Sequence, residues 1–206
     1  MAKLSTVRMR IVVALVATAA ALSASAAASQ AATLSGPSCN YGPASHPFAN
    51  WGDPASYTLV PGGSFESGAP GWALYGGAHV VSGNETFFAN SAADAHSLAV
   101  PVGSSVVTPP FCVSLVRPTI RLFVANGGSS SSRLRVHVVY RGLLSILGIL
   151  DGGTISTGTS WNASPVMLAT MNAPLGTKSA QFVFTPMDAA GAWRIDDLYV
   201  DPWVNL

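Results

Sequence analysis

From Arg133 to Tyr140 the chain alternates with period two. Leu134, Val136, Val138 and Tyr140 fall on one side, and Arg133, Arg135 and His137 on the other. A helix would spread these residues around its axis, whereas a strand with one buried face sorts them this way. Such a strand needs partners in its sheet and a second layer over its apolar face. The partners are legible. Ile120, Leu122 and Val124 alternate just before the Gly/Ser turn Asn126 to Ser132, and Ala180, Phe182 and Phe184 do so later. Shorter strand signals lie at Tyr57–Val60, Ser64–Glu66, Trp72–Tyr75, His79–Ser82, Ser97–Val102, Ser105–Thr108, Cys112–Leu115 and Trp193–Val200, separated by turns rich in Gly and Pro. No amphipathic helix of about ten residues follows the first thirty positions. Many short strands with frequent turns predict an all-β fold of two packed antiparallel sheets.

One segment does not alternate. Leu143 to Leu150 is Leu, Ile and Gly with a single Ser. It is too short to span a bilayer. It reads as a strand buried on both faces, or as an exposed apolar edge that pairs with another molecule.

The N-terminus is of another kind. Lys3, Arg8 and Arg10 precede the apolar run Ile11 to Leu22, and an Ala/Ser-rich stretch with small-x-small sites follows. This is the layout of a secretory signal peptide, expected over residues 1–32, with an uncleaved anchor as the alternative. The mature chain is thus expected to be secreted and extracellular, with no membrane span. Of ten Lys and Arg residues three lie in the signal, whereas all nine Asp and Glu follow it, so the mature part carries two more acids than bases. That balance disfavours nucleic acid as a partner.

Residues 33–56, rich in Pro, Gly, Ser and Asn, read as an irregular arm ahead of a domain at 57–206. Cys39 and Cys112 are the two cysteines. In an oxidising compartment they are expected to pair, tethering the arm and contributing about 4 kcal/mol by closing a long loop. Neither stands in a paired zinc-ligand motif.

Two stretches carry a family signal: Gly63-Ser-Phe-Glu-Ser-Gly-Ala-Pro-Gly-Trp72 near the start of the domain and Trp193-Arg-Ile-Asp-Asp-Leu-Tyr-Val200 at its end. They resemble the opening and closing strands of jelly-roll carbohydrate-binding modules and their galactose-binding-like relatives, over about Tyr57 to Pro202. The likeness extends to stand-alone secreted proteins of this plan with the same cysteine-bearing arm. The resemblance implies an antiparallel jelly-roll β-sandwich with its first and last strands side by side, and Phe65 and Ile195 in the core. It also implies that Glu66 approaches Asp196 and Asp197. Adjacent carboxylates repel unless a cation or hydrogen-bond donors lie between them. Relatives place a structural calcium there, which makes Glu66, Asp196 and Asp197 candidate ligands; the alternative is that these acids cap backbone N–H groups or pair with Arg194.

Binding of a glycan or another cell-surface polymer calls for aromatic platforms beside polar groups. Trp161, after a Gly/Ser/Thr loop, is one candidate platform, and Tyr75, Phe87 and Phe88, near a Gly-rich loop, are others. Trp72 and Trp193 lie inside the fold motifs and read as core. No nucleophile elbow, His-Glu-x-x-His or phosphate-binding Gly loop is present. The expected function is therefore a secreted, non-catalytic binding domain. A self-associating structural or adhesive protein acting through Leu143–Leu150, and after it a hydrolase, are the alternatives.

Overall fold

The structure, a computed structural model, describes residues 42–112, 119–169, 173–189 and 191–201. The expected signal peptide and Cys39 lie outside the described residues. Cys112 is buried and is not a free thiol.

Two antiparallel sheets face each other. The first holds β1 (Thr58–Leu59), β3 (His79–Ser82), β4 (His96–Val100), β6 (Thr119–Asn126), β9 (Asn162–Ala163), β10 (Met167–Leu168) and β12 (Trp193–Asp201). Its order is β10-β6-β12-β4-β3, with β1 also on β12 and β9 also on β6. The second holds β2 (Ala73–Tyr75), β5 (Ser105–Val107), β7 (Leu134–Arg141), β8 (Ile146–Ile155) and β11 (Ser179–Pro186), in the order β2-β5-β11-β7-β8. The expected β-sandwich is the observed one. The alternation of β7 puts Leu134, Val136, Val138 and Tyr140 into the core, against Phe182 and Phe184 of β11 and Leu98, Leu122, Val124 and Ile195 of the facing sheet. Trp72 and Trp193 are core residues as well.

The two family motifs do adjoin, through backbone. Val60 N–H donates to Leu198 O at 2.8 Å, and Leu198 N–H to Gly63 O at 3.3 Å. A Cβ on Gly63 would stand 2.9 Å from Val60 O and 3.0 Å from Leu198 O, so only glycine lets the opening segment lie this close to β12. Ser64–Glu66 is a turn rather than a strand, with Phe65 at φ 59° to drive its ring against Trp72.

Leu143–Leu150 departs from the doubly buried reading. Its strand, β8, is the edge of the second sheet, paired on one side to β7. Only Leu150 of its Leu and Ile residues turns toward the core before Ile155, and Leu143, Leu144, Ile146, Leu147 and Ile149 are exposed. An unbroken apolar run ordinarily marks burial on both faces, but burial needs a neighbour on each side, and β8 ends its sheet.

The segment before β1 is better packed than its composition implies. Its aromatic residues lie on the outer face of the first sheet, where Phe48 is fully buried against Tyr57, Phe123 and Tyr199. Arg121 stacks over Phe48 at 4.7 Å and pairs with Asp53 at 2.7 Å. Asp53 also accepts the Tyr57 hydroxyl, and burial together with that acceptor pushes the Tyr57 pKa well up. This cover explains why β6 is buried on both faces.

Candidate functional site

The outer face of the first sheet gathers the aromatic candidates. Alternation in β6 and β12 sends Leu122, Val124 and Ile195 inward and leaves Phe123 and Arg194 on the outside. Trp161 stands just before β9, whose two residues pair with Phe123 and Val124, and packs against the Phe123 cluster, half-exposed. Arg194 lies over the Trp161 ring at 5.5 Å, within cation–π range. Its guanidinium is held by Ser97 Oγ, at 3.1 Å from Nε, and by the carbonyls of Ser82 and Gly83. Gly83 has φ +101°, and a Cβ there would come within 2.9 Å of Arg194 Nη2, so the glycine makes room for the cation.

Trp51, from the segment before β1, completes the group. Its Nε1–H donates to Asn162 Oδ1 at 2.9 Å, and its ring meets Phe87 edge-on at 4.6 Å. Phe87 is half-exposed and also touches Phe123 at 5.6 Å. The fold thus brings Trp161 and Phe87 to one face. Phe88, its neighbour, is exposed at φ 51°. Tyr75 is exposed too, but on β2 of the opposite sheet, so it does not join this group. Trp51 was hidden in sequence because irregular backbone gives no periodicity to read.

Beside the platform, carboxylates stitch the loop that follows β3 to β12. Glu85 is fully buried and accepts the N–H groups of Phe87 and Ala89, which fixes Phe87 in place. Its own N–H donates to Asp196 Oδ2 at 3.0 Å, and Asn90 N–H to Asp197 Oδ2 at 3.1 Å. Asp196 and Asp197 are fully buried. Burial, then the neighbouring Asp197 charge, pushes Asp196 up to about 9. Burial, then the charges of Glu85 and Asp94, pushes Asp197 up to about 8. Asp197 sits at φ 45°, at the irregularity where β12 shifts register against β6. Asp197 Oδ1 and the Tyr199 hydroxyl, both buried, have no hydrogen-bond partner among the described residues.

Glu66 adds its charge to those that raise Asp197 and is held by its own set of donors. It accepts N–H bonds from Ala95 at 2.9 Å and His96 at 2.7 Å, and its other oxygen meets His96 Nδ1 at 3.0 Å. Burial works to raise its pKa, but these bonds outweigh burial and hold it below the ordinary value. The expected calcium ligands Glu66, Asp196 and Asp197 are each engaged with backbone donors, and among the described residues no group of three or more His, Cys, Asp or Glu is placed to hold a metal ion. The orphaned Asp197 Oδ1 is one oxygen where calcium needs six to eight. The capping alternative describes these acids, and Glu85, whose position follows no sequence spacing, is the member that sequence missed.

No protein-family model matches the chain, and none of the curated proteins is similar to it. Solved structures are. The family 22 carbohydrate-binding and family 10 glycoside hydrolase modules of Clostridium thermocellum endo-1,4-β-D-xylanase 10B, complexed with xylohexaose, match 69% of this chain and 28% of theirs, at TM-score 0.51 and 14% identity. The enzymatically active domain of bacteriophage CBA120 tailspike protein 4 matches 69% of this chain and 21% of its own, at TM-score 0.50 and 16% identity. A family 61 carbohydrate-binding module in complex with β-1,4-galactotriose matches 70% of this chain and 97% of its own, at TM-score 0.48 and 13% identity. The chain spans less than a third of the length of the first two. At these identities the likeness is one of fold: a jelly-roll of the kind seen in carbohydrate-binding modules.

Proposed function

We propose that this is an exported, non-catalytic glycan-binding domain whose ligand rests on the outer face of the first sheet, against Trp161 and Phe87. One observation carries the reading: Trp161, partly exposed beside β9, is held from below by the Phe123 cluster and flanked by the guanidinium of Arg194, itself fixed by Ser97 and the carbonyls of Ser82 and Gly83. A pyranose presents an apolar face that stacks on an indole and hydroxyls that accept from a guanidinium. Both parts of that recognition are pre-organised here, which lowers the ordering cost of binding. The jelly-roll likeness to carbohydrate-binding modules supports the same class of ligand. The acids nearest the platform are spent on holding its loop, which supports binding over hydrolysis.

The test is a pull-down of the secreted chain on insoluble polysaccharides together with a glycan array. Trp161→Ala is expected to weaken retention by at least about tenfold, roughly the worth of one stacked aromatic, with a lower melting temperature from the lost packing on the Phe123 cluster but a single cooperative transition that reports folding. Retention of the variant equal to wild type would remove Trp161 from the site. Absence of binding to every glycan would remove the proposal.

A further inference from the structure

The β7–β8 hairpin ends in a turn of unusual chemistry. Gly142 N–H donates to Ser145 O at 2.9 Å, which closes the hairpin and leaves Leu143 and Leu144 at its tip. Tight hairpin turns favour Gly, Asn, Asp and Ser, which meet the backbone demands and are at ease in water. Here two leucines occupy the tip, 82% and 86% exposed. Ile146 and Leu147 follow them, also exposed. A run of exposed apolar residues at the wrong place for both turn chemistry and solubility marks function rather than folding.

A second loop adds to the tip. Lys178 N–H donates to Arg141 O at 2.8 Å, and a Cβ on Gly148 would stand 3.4 Å from Pro174 Cγ, so the loop before β11 lies against the hairpin end. Leu175 of that loop is fully exposed. No charged residue occurs from position 142 to 150 or from 173 to 177. The first charges behind the tip, Arg141 on the hairpin and Lys178 on the adjoining loop, are both basic. Edge strands open to water normally carry charges that prevent pairing, and the first half of β8 has none.

We propose that this end of the sandwich docks on a lipid surface bearing anionic head groups. Leu143, Leu144, Leu147 and Leu175 enter the boundary of head groups and acyl chains, while Arg141 and Lys178 lie at the level of the phosphates. Apolar side chains at the tip with cations one step behind them match the layering of a bilayer surface. Pairing of β8 with a second copy fits less well, because the tip leucines project beyond the strand and stay in water when two edges join. The site is on the second sheet, separate from the Trp161 face, and does not depend on the glycan reading.

The experiment sediments the chain recovered from culture medium with vesicles of phosphatidylcholine alone and of an equal mixture of phosphatidylcholine and phosphatidylglycerol. Wild type is expected to sediment with the mixed vesicles. The double substitution Leu143→Asp with Leu144→Asp is expected to lose at least about tenfold in partitioning, given the apolar area removed. Lys178→Gln is expected to lower binding to mixed vesicles only and to reduce its sensitivity to salt. Both variants change exposed side chains, and unchanged melting temperatures report that they fold. Wild type left in solution with both vesicle types overturns the proposal, as does equal sedimentation of wild type and the double variant. A dimer detected by light scattering, abolished by the same substitutions while vesicles stay unbound, assigns the surface to a second copy instead.

Discussion

Asp197→Asn is expected to stabilise the domain at neutral pH while leaving it unchanged in acid. Burial, with the charges of Glu85 and Asp94, lifts Asp197 from its ordinary 3.8 up to about 8. The folded state therefore keeps a proton that the unfolded chain releases above 3.8. Between these values the folded state binds more protons, so stability is fully present below 3.8 and falls as pH rises through the window. The fall is up to about 1.4 kcal/mol per pH unit for one group, and up to about 2.7 kcal/mol from pH 5 to pH 7. In a domain of this size that lowers Tm by up to about 10 °C. Asparagine carries no titrating proton, keeps an oxygen for the Asn90 N–H, and tolerates the left-handed backbone found at this position. Its melting temperature should exceed that of wild type least at pH 5 and by several degrees more at pH 7, as a fraction of that figure. The slope persists in part, because Asp196 is raised in the same direction. Calorimetric melts at pH 5, 6 and 7, at fixed ionic strength, with chelator and with calcium, measure all of this. A wild type that gains stability from pH 5 to pH 7 would refute the argument. So would a calcium-dependent rise in Tm, which would mean that an ion rather than protons neutralises the pair.

Two further substitutions test the packing that positions the site. Gly63→Ala forces a methyl into the backbones of Val60 and Leu198, and is expected to cost at least about 2 kcal/mol in urea unfolding; a neutral effect would show that the two motifs are not locked together as described. Asp53→Ala strips the partner from the largely buried Arg121 and is expected to cost about 3 kcal/mol and to expose the Phe48 cluster to proteolysis; a loss below about 1 kcal/mol would mean that the aromatic contacts alone hold this segment.

How far the sequence could be read follows from which signals are local. The alternation at Leu134–Tyr140 named a strand and its inner face because period two is a property of the strand itself. His79–Ser82 and the closing strand from Trp193 were legible instead as short strand-forming runs bounded by turns. Leu143–Leu150 misled because composition reports how apolar a segment is, whereas its place at the sheet edge depends on which strands pair. The segment before β1 looked irregular, and its backbone largely is; its order comes from Phe48 and Trp51 meeting residues some seventy to a hundred and fifty positions away, which no local pattern encodes. Of the candidate platform, Trp161 and Phe87 were visible as aromatics in polar loops, and the register of β9 on β6 brought them together. Tyr75 looked equivalent in sequence and lies on the other sheet. Glu66 was expected to approach Asp196 and Asp197; its charge does act on Asp197, while two backbone donors and His96, which no sequence spacing announced, engage its oxygens.

The central claim is that glycan binds on the Trp161 face. Indole N–H resonances in two-dimensional NMR report on it residue by residue as a soluble oligosaccharide chosen from the array is titrated in. The account predicts that the Trp161 and Trp51 indole signals shift with a common saturation curve, while Trp193, buried in the core with its N–H on Ser132 Oγ, stays fixed. Shifts confined to other residues, or a saturating ligand that leaves both Trp161 and Trp51 unmoved, would contradict it.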